Sequence, residues 1–167
     1  KNKPFFTNSI TGNLAIITVS GGHGVLSSDI AAKYDLSLVD FTDAEKDEIR
    51  GVLCPTIQAI AGIGNPIDLT GSCADDDIVN VLKLLMLNDR VDIILLLILP
   101  YPPMLTMSLG SRIANIVRIH HKPTITYLPW VAKYEMIKEP LNESNIPVGN
   151  SIEEALLMAK AVCAKSN

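Results

Sequence analysis

The sequence predicts an α/β sandwich, a parallel sheet with helices on both faces. Three observations carry that expectation. Short β-branched apolar runs alternate with stretches of helical period along most of the chain, the pattern of βα units joined by right-handed crossovers. Ile93 to Leu99 is apolar without interruption, as a strand buried on both faces must be. Nearly half of the 167 residues are hydrophobic, enough for one full core.

The elements follow in order. Residues 1–13 hold Pro4 and Gly12 without periodicity and read as a linker from an upstream domain, leaving residues 14–165 as the domain itself. The chain begins at Lys1 rather than methionine, so the expectation is a piece of a larger protein. Leu14 to Val19 is the first strand, Ser20 to Gly24 a glycine turn, and Val25 opens a helix reaching Tyr34 with Val25, Leu26, Ile30 and Ala31 on one apolar face. A second strand spans Leu36 to Phe41, and a charged helix spans Asp43 to Leu53, with Thr42 and Glu45 spaced as a capping box and Pro55 after its end. Asp75 to Leu87 is the next helix, and Val91 to Leu99 a central strand ended by Pro100. Helix Ser108 to His121, strand Thr124 to Leu128, helix Ala132 to Ser144, strand Ile146 to Val148 and helix Ile152 to Ala164, capped by Ser151 with Glu154, complete the chain. Five strands in this alternation give a doubly wound, flavodoxin-like three-layer sandwich of order 2-1-3-4-5, with ligands at the carboxyl ends of the strands.

Composition excludes several classes of function. The net charge is −4 and Lys and Arg are scattered singly, which removes the electrostatic footprint of a nucleic-acid binder. No apolar stretch approaches the ~20 residues of a membrane helix, and no signal sequence opens the chain, so a cytoplasmic protein is expected. Cys54, Cys73 and Cys163 are odd in number, widely spaced and without a Cys-x-x-Cys pair; they read as packing thiols, with neither a disulfide framework nor a metal site.

Chemistry is expected first at the glycine turn. Ser20, Gly21, Gly22, His23, Gly24 and Val25 bring a strand end to a helix start, where backbone N–H groups without intrahelical acceptors and the helix dipole favour an anion, phosphate above all. The same glycines would equally serve a tight turn alone. The spacing fits neither the dinucleotide fingerprint nor a Walker loop, since no Gly-Lys-Ser/Thr follows and the first lysine after the turn is Lys33. His23 is a candidate general base or phosphoryl acceptor, although no carboxylate lies near it in sequence. His120 and His121 sit at a helix end and suit its C-terminal dipole. Asp75, Asp76 and Asp77 could suggest a metal, but consecutive helical residues diverge around the axis and first-turn capping explains them better. Asn65, Pro66 and Asp68, in the stretch to Gly71, form a rigid Asn-Pro turn with one acid, read as a supporting element. Trp130, on the loop after the fourth strand, suits stacking on a ligand or another domain as well as packing.

Asn13 to Leu26, the Asn65 to Gly71 turn, and Asp92 to Leu99 followed by Pro100 together resemble one family: the C-terminal flavodoxin-like domain of the α part of NDP-forming acyl-CoA synthetases, the ADP-forming acetate–CoA ligases related to succinyl-CoA synthetase. The resemblance implies an enzyme that converts acyl-CoA, ADP and phosphate to free acid, CoA and ATP through an acyl phosphate and a phosphohistidine. It also implies that this domain alone binds no cofactor. CoA, ADP or ATP, Mg and phosphate would belong to the full enzyme, held with neighbouring CoA-binding, phosphohistidine and ATP-grasp domains or subunits. The phosphohistidine motif of the family, of Ser-His-Thr-Gly type, is absent here. The matching element is the helix after the glycine turn, whose N-terminus would help hold phosphate or the phosphohistidine through Gly21, Gly22, Gly24 and Val25. His23 departs from the proline common in the family. The alternative is a stand-alone flavodoxin-like module that binds a small anion or a protein without catalysis.

Overall fold

The computed structural model describes residues 12–99 and 102–164; the expected linker up to residue 11 and the strand-ending Pro100 lie outside them. The elements are β1 (Asn13–Thr18), α1 (Gly21–Lys33), β2 (Ser37–Leu38), α2 (Asp43–Gly51), α3 (Pro55–Gln58), β3 (Gly62–Ile63), β4 (Ile67–Asp68), α4 (Asp75–Leu87), β5 (Ile93–Leu97), α5 (Leu109–His120), β6 (Thr124–Tyr127), a 3₁₀ turn (Ala132–Tyr134), α6 (Glu135–Glu143), β7 (Val148–Gly149) and α7 (Ile152–Ala164).

The five expected strands stand in the expected order. β2 and β5 flank β1, and β6 and β7 continue the sheet, every one of these pairs parallel. The sheet nevertheless has seven strands rather than five. The added pair is a short antiparallel hairpin, β3 with β4, and β4 runs parallel to β1. One edge of β1 is thus divided: β2 takes Asn13 and Leu14, while β4 takes Ile17 and Thr18. Asn65 bridges the gap between them. Its side chain accepts the Ile16 amide at 2.9 Å and donates to the carbonyls of Leu14 at 2.7 Å and Val39 at 3.0 Å, standing in for a ladder residue that neither strand supplies.

Two apolar clusters cover the two faces. Leu14, Ile16, Ile93, Leu95 and Ile125 meet α1 and α7 on one side, while Ile17, Ile94, Leu96 and Ile67 meet α4, α5 and α6 on the other. Successive residues of one strand pointing to opposite faces is the pleat at work, and with both faces covered the run Ile93–Leu97 is buried throughout.

The helix caps follow their sequence signals. Thr42 and Glu45 form the reciprocal capping box of α2, and Ser151 Oγ accepts the Glu154 amide at 3.0 Å. The Asp75–Asp77 carboxylates turn to different groups: Asp75 takes the amide of Thr106, Asp76 pairs with Arg112, which also reaches Asp75, and Asp77 takes the amides of Cys54 and Ala74. His121 ends α5 in the left-handed region, with φ 58°.

Four local expectations are corrected. The first helix begins at Gly21 rather than at Val25. Its buried face is Gly24, Ser27 and Ala31, whereas Val25 and Leu26 are exposed. A close approach to the sheet admits only small residues there, so the larger apolar side chains turn outward. α2 ends at Gly51 rather than at Leu53; Pro55 follows it as expected and also occupies the first turn of α3, where its missing N–H costs nothing. The last strand lies at Val148–Gly149 rather than starting at Ile146. No helix among the described residues is long and apolar enough to cross a membrane.

Candidate anion site at the glycine turn

β1 delivers its carboxyl end to a fixed turn. The Thr18 hydroxyl donates to the Ser20 carbonyl at 2.9 Å and accepts the Ser20 amide at 3.1 Å, locking the two residues before α1. Gly24 makes the first backbone bond of the helix, its amide donating to the Ser20 carbonyl at 3.0 Å. The amides of Gly21, Gly22 and His23 precede that bond and have no acceptor within the helix. The set expected from sequence, Ser20 to Val25, therefore narrows for backbone donation to these three. Gly24 and Val25 lie within the helical ladder.

The glycines differ in what they permit. At Gly24 an added Cβ would stand 3.2 Å from both Pro66 Cβ and Thr18 Cγ2, so this residue is small because the Asn-Pro hairpin presses against it. At Gly21 an added Cβ would meet Asp68 Oδ2 at 3.0 Å. Gly22 has no heavy atom within 4 Å of that position. The structure thus brings together two elements far apart in the chain, the glycine turn and Asn65–Asp68. Asp68 also accepts the Thr70 amide at 2.9 Å through Oδ1, which supports Thr70 at φ 63°. Its carboxylate is itself a negative group at the positive end of α1, so a bound anion would share the dipole with Asp68.

His23 is held on two sides. Its Nδ1 lies 3.1 Å from Ser20 Oγ, and its ring stacks on Tyr127 of β6 with centroids 6.1 Å apart and planes inclined by 22°. The polar partner that sequence spacing could not reveal is thus a serine of the same turn. Trp130 serves no packing role here, being 80% exposed beyond β6. His120 and His121 sit at the opposite, amino edge of the sheet, where α5 ends, and take no part in this site.

The thiols are set apart from it. Burial pushes Cys73 up to about 12, with the neighbouring Asp77 carboxylate adding to the rise, and burial also raises Cys163. Cys54 is exposed. A thiolate-selective reagent at pH 8 should therefore titrate Cys54 first and Cys73 only on unfolding, counted by labelling before and after denaturation. Equal rates at Cys54 and Cys73 would contradict the burial described. Among the described residues no group of three or more His, Cys, Asp or Glu is placed to hold a metal ion.

The fold is thus a doubly wound α/β sandwich with the glycine turn at the carboxyl edge of its sheet, the edge at which open α/β sheets carry their ligand crevices. The chain belongs to the Ligase-CoA domain family, which matches residues 14–165. It is 29% identical over 154 residues to the alpha subunit of acetate–CoA ligase (ADP-forming) II of Pyrococcus furiosus, a match covering 89% of this chain and 33% of that subunit. It is also 30% identical over 89 residues to acetate–CoA ligase (ADP-forming) I of Archaeoglobus fulgidus, covering 53% of this chain and 12% of that protein. A crystal structure from Pyrococcus horikoshii OT3 superposes with a TM-score of 0.81 at 27% identity, covering 93% of this chain and 36% of the other. The dinucleotide-forming acetyl-coenzyme A synthetase 1 of Ca. Korarchaeum cryptofilum, in complex with phosphate and ADP, shares the fold with a TM-score of 0.76 at 23% identity, covering 93% of this chain and 34% of that one. The chain spans about a third of the length of the first of these relatives.

Proposed function

We propose that this chain is one domain of an NDP-forming acyl-CoA synthetase, an enzyme that takes acyl-CoA, ADP and phosphate to free acid, CoA and ATP. Its part is to hold phosphate, or a phosphohistidine presented by a neighbouring domain, on the amides of Gly21, Gly22 and His23. The observation that carries this reading is the start of α1: three backbone donors without intrahelical acceptors, fixed by Thr18 and Ser20 and braced by Pro66. Membership of the Ligase-CoA domain family and the ADP-forming acetate–CoA ligases among its relatives support the reaction class. The work done here is orientation and charge stabilisation, because backbone donors aimed at a phosphoryl oxygen need no reorganisation as charge develops. CoA, the nucleotide and Mg are assigned to other domains of the enzyme.

The reading is tested by comparing the chain with its full-length parent. Acetyl-CoA, ADP and phosphate should yield ATP with the parent and none with the 167 residues alone, since the chain has no phosphohistidine motif. ATP formed by the isolated chain would overturn the division of labour. A full-length parent that forms no ATP from any acyl-CoA would overturn the ligase assignment.

A further inference from the structure

We propose that the cavity at the amino edge of the sheet is the seat of the chain's own Phe5–Phe6 segment. Nothing in the phosphate reading is needed for it. The cavity measures about 730 Å³ and lies at the edge opposite the glycine turn, lined in part by Val117, Ile125, Ile146, Pro147 and Val162. It stands where α5, α6 and α7 end and β6 and β7 begin, with α5 on one face of the sheet and α7 on the other. The cations on its wall are already engaged: Lys122 donates to the carbonyls of Leu85 and Asn88, and Arg118 to Asn115 Oδ1. What the cavity offers an occupant is therefore apolar contact.

The occupant follows from where the chain enters the fold. Gly12, at φ 92°, leads into β1 beside the last turn of α7, and a Cβ added to it would lie 3.7 Å from Cys163 Sγ. Val162, the residue before Cys163, lines the cavity. Residues 1–11 are polar or charged apart from Pro4, Phe5, Phe6 and Ile10. Phe41, the third phenylalanine of the chain, is buried in the core, so Phe5 and Phe6 are the two left to be covered. A pair of adjacent phenylalanines in water exposes a large apolar area, which an apolar cavity removes. The reach suffices. β1, β5 and β6 are successive neighbours in the sheet, so the start of β6 stands about 10 Å from that of β1. Phe6 lies six residues before Gly12, a span of up to about 20 Å. A segment seated there fixes the direction in which the linker meets β1.

Photo-crosslinking in the full-length protein tests this, with p-benzoylphenylalanine in place of Phe5 in one variant and of Phe6 in another. At one of the two positions the main adduct should form within the same chain on Val117, Ile125, Ile146, Pro147 or Val162, located by mass spectrometry. Val117→Trp, which fills the cavity, should cut that adduct at least about tenfold, because a phenylalanine side chain loses its burial. Met136→Trp, at an exposed position of α6, should leave it unchanged. Adducts only on other residues, or none at either position, would overturn the proposal. So would adducts joining two copies, seen by mixing isotopically light and heavy chains, or a Val117→Trp protein that crosslinks as its parent does. If Val117→Trp fails to fold, the map of adducts decides alone. The phosphate reading is read separately, by Gly22→Val, and stands or falls apart from these results.

Discussion

Gly22→Val in the full-length enzyme should lower turnover by about a hundredfold or more while leaving folding intact. An added Cβ meets no heavy atom within 4 Å, and replacing glycine inside a helix relieves a conformational cost of about 0.5 kcal/mol or more. The melting temperature should therefore hold or rise slightly. Helical Cβ atoms lean toward the N-terminus, so the two valine methyls stand over the amides of Gly21, Gly22 and His23. Losing two hydrogen bonds to a charged oxygen costs about 3 kcal/mol or more, which is about two orders of magnitude in rate. His23→Pro is the matched control. Proline is tolerated in a first helical turn, and the change removes one orphan N–H, the contact with Ser20 Oγ and the stack on Tyr127. Turnover should fall by no more than about tenfold, the worth of one such hydrogen bond. A dead His23→Pro enzyme, or phosphate found on His23 by mass spectrometry, would make this domain a phosphoryl carrier in its own right.

Gly110→Ala should destabilise the protein by about 3 kcal/mol or more. In an exposed helix this substitution gains up to about 1 kcal/mol from propensity. Here the new Cβ would lie 2.0 Å from the Ile137 carbonyl oxygen and 2.8 Å from its carbon, so α5 and α6 would have to separate. The obstacle is backbone, and no side-chain rotation relieves it. Moving α6 strips contacts from Ile137 and Leu141, both buried. For a domain of this size the loss corresponds to a fall of about 10 °C in melting temperature. Thermal unfolding followed by circular dichroism reads it directly, and an unchanged or higher midpoint would contradict the close α5–α6 crossing.

The sheet order was legible because short apolar runs alternate with helices along the chain, which gives the order even where, as at β2 and β7, the strand bounds differ. Ile93–Leu97 is a continuous apolar run, and the helices between strands carry caps such as Thr42 with Glu45 that set their starts within a residue. The β3–β4 hairpin was not legible. Its strands hold two residues each, as β2 and β7 do, but they lie in a Gly- and Pro-rich stretch with no apolar run to mark them, and what completes the ladder is the Asn65 side chain, whose partners Leu14 and Val39 lie 51 and 26 residues away. The start of α1 was hidden for a different reason. Gly21, Gly22 and Gly24 weaken a helix by propensity, and only the tertiary approach of Pro66 and Thr18 explains a glycine at position 24. Small residues at Gly24, Ser27 and Ala31, three, four and seven apart, were the available signal for the buried face, outweighed by the apolar side chains of Val25 and Leu26. In the site, the glycine turn and Asn65–Asp68 were each visible, but their contact was not, because it depends on β4 lying beside β1.

The central claim, that the start of α1 holds phosphate for ligase chemistry, is tested most directly by a crystal structure of the full-length enzyme with bound phosphate. A phosphate oxygen is expected within about 2.7–3.2 Å of the amide nitrogens of Gly21, Gly22 or His23, as free phosphate or on a histidine of a neighbouring domain. Phosphate bound only elsewhere, with this turn covered by side chains, would contradict it.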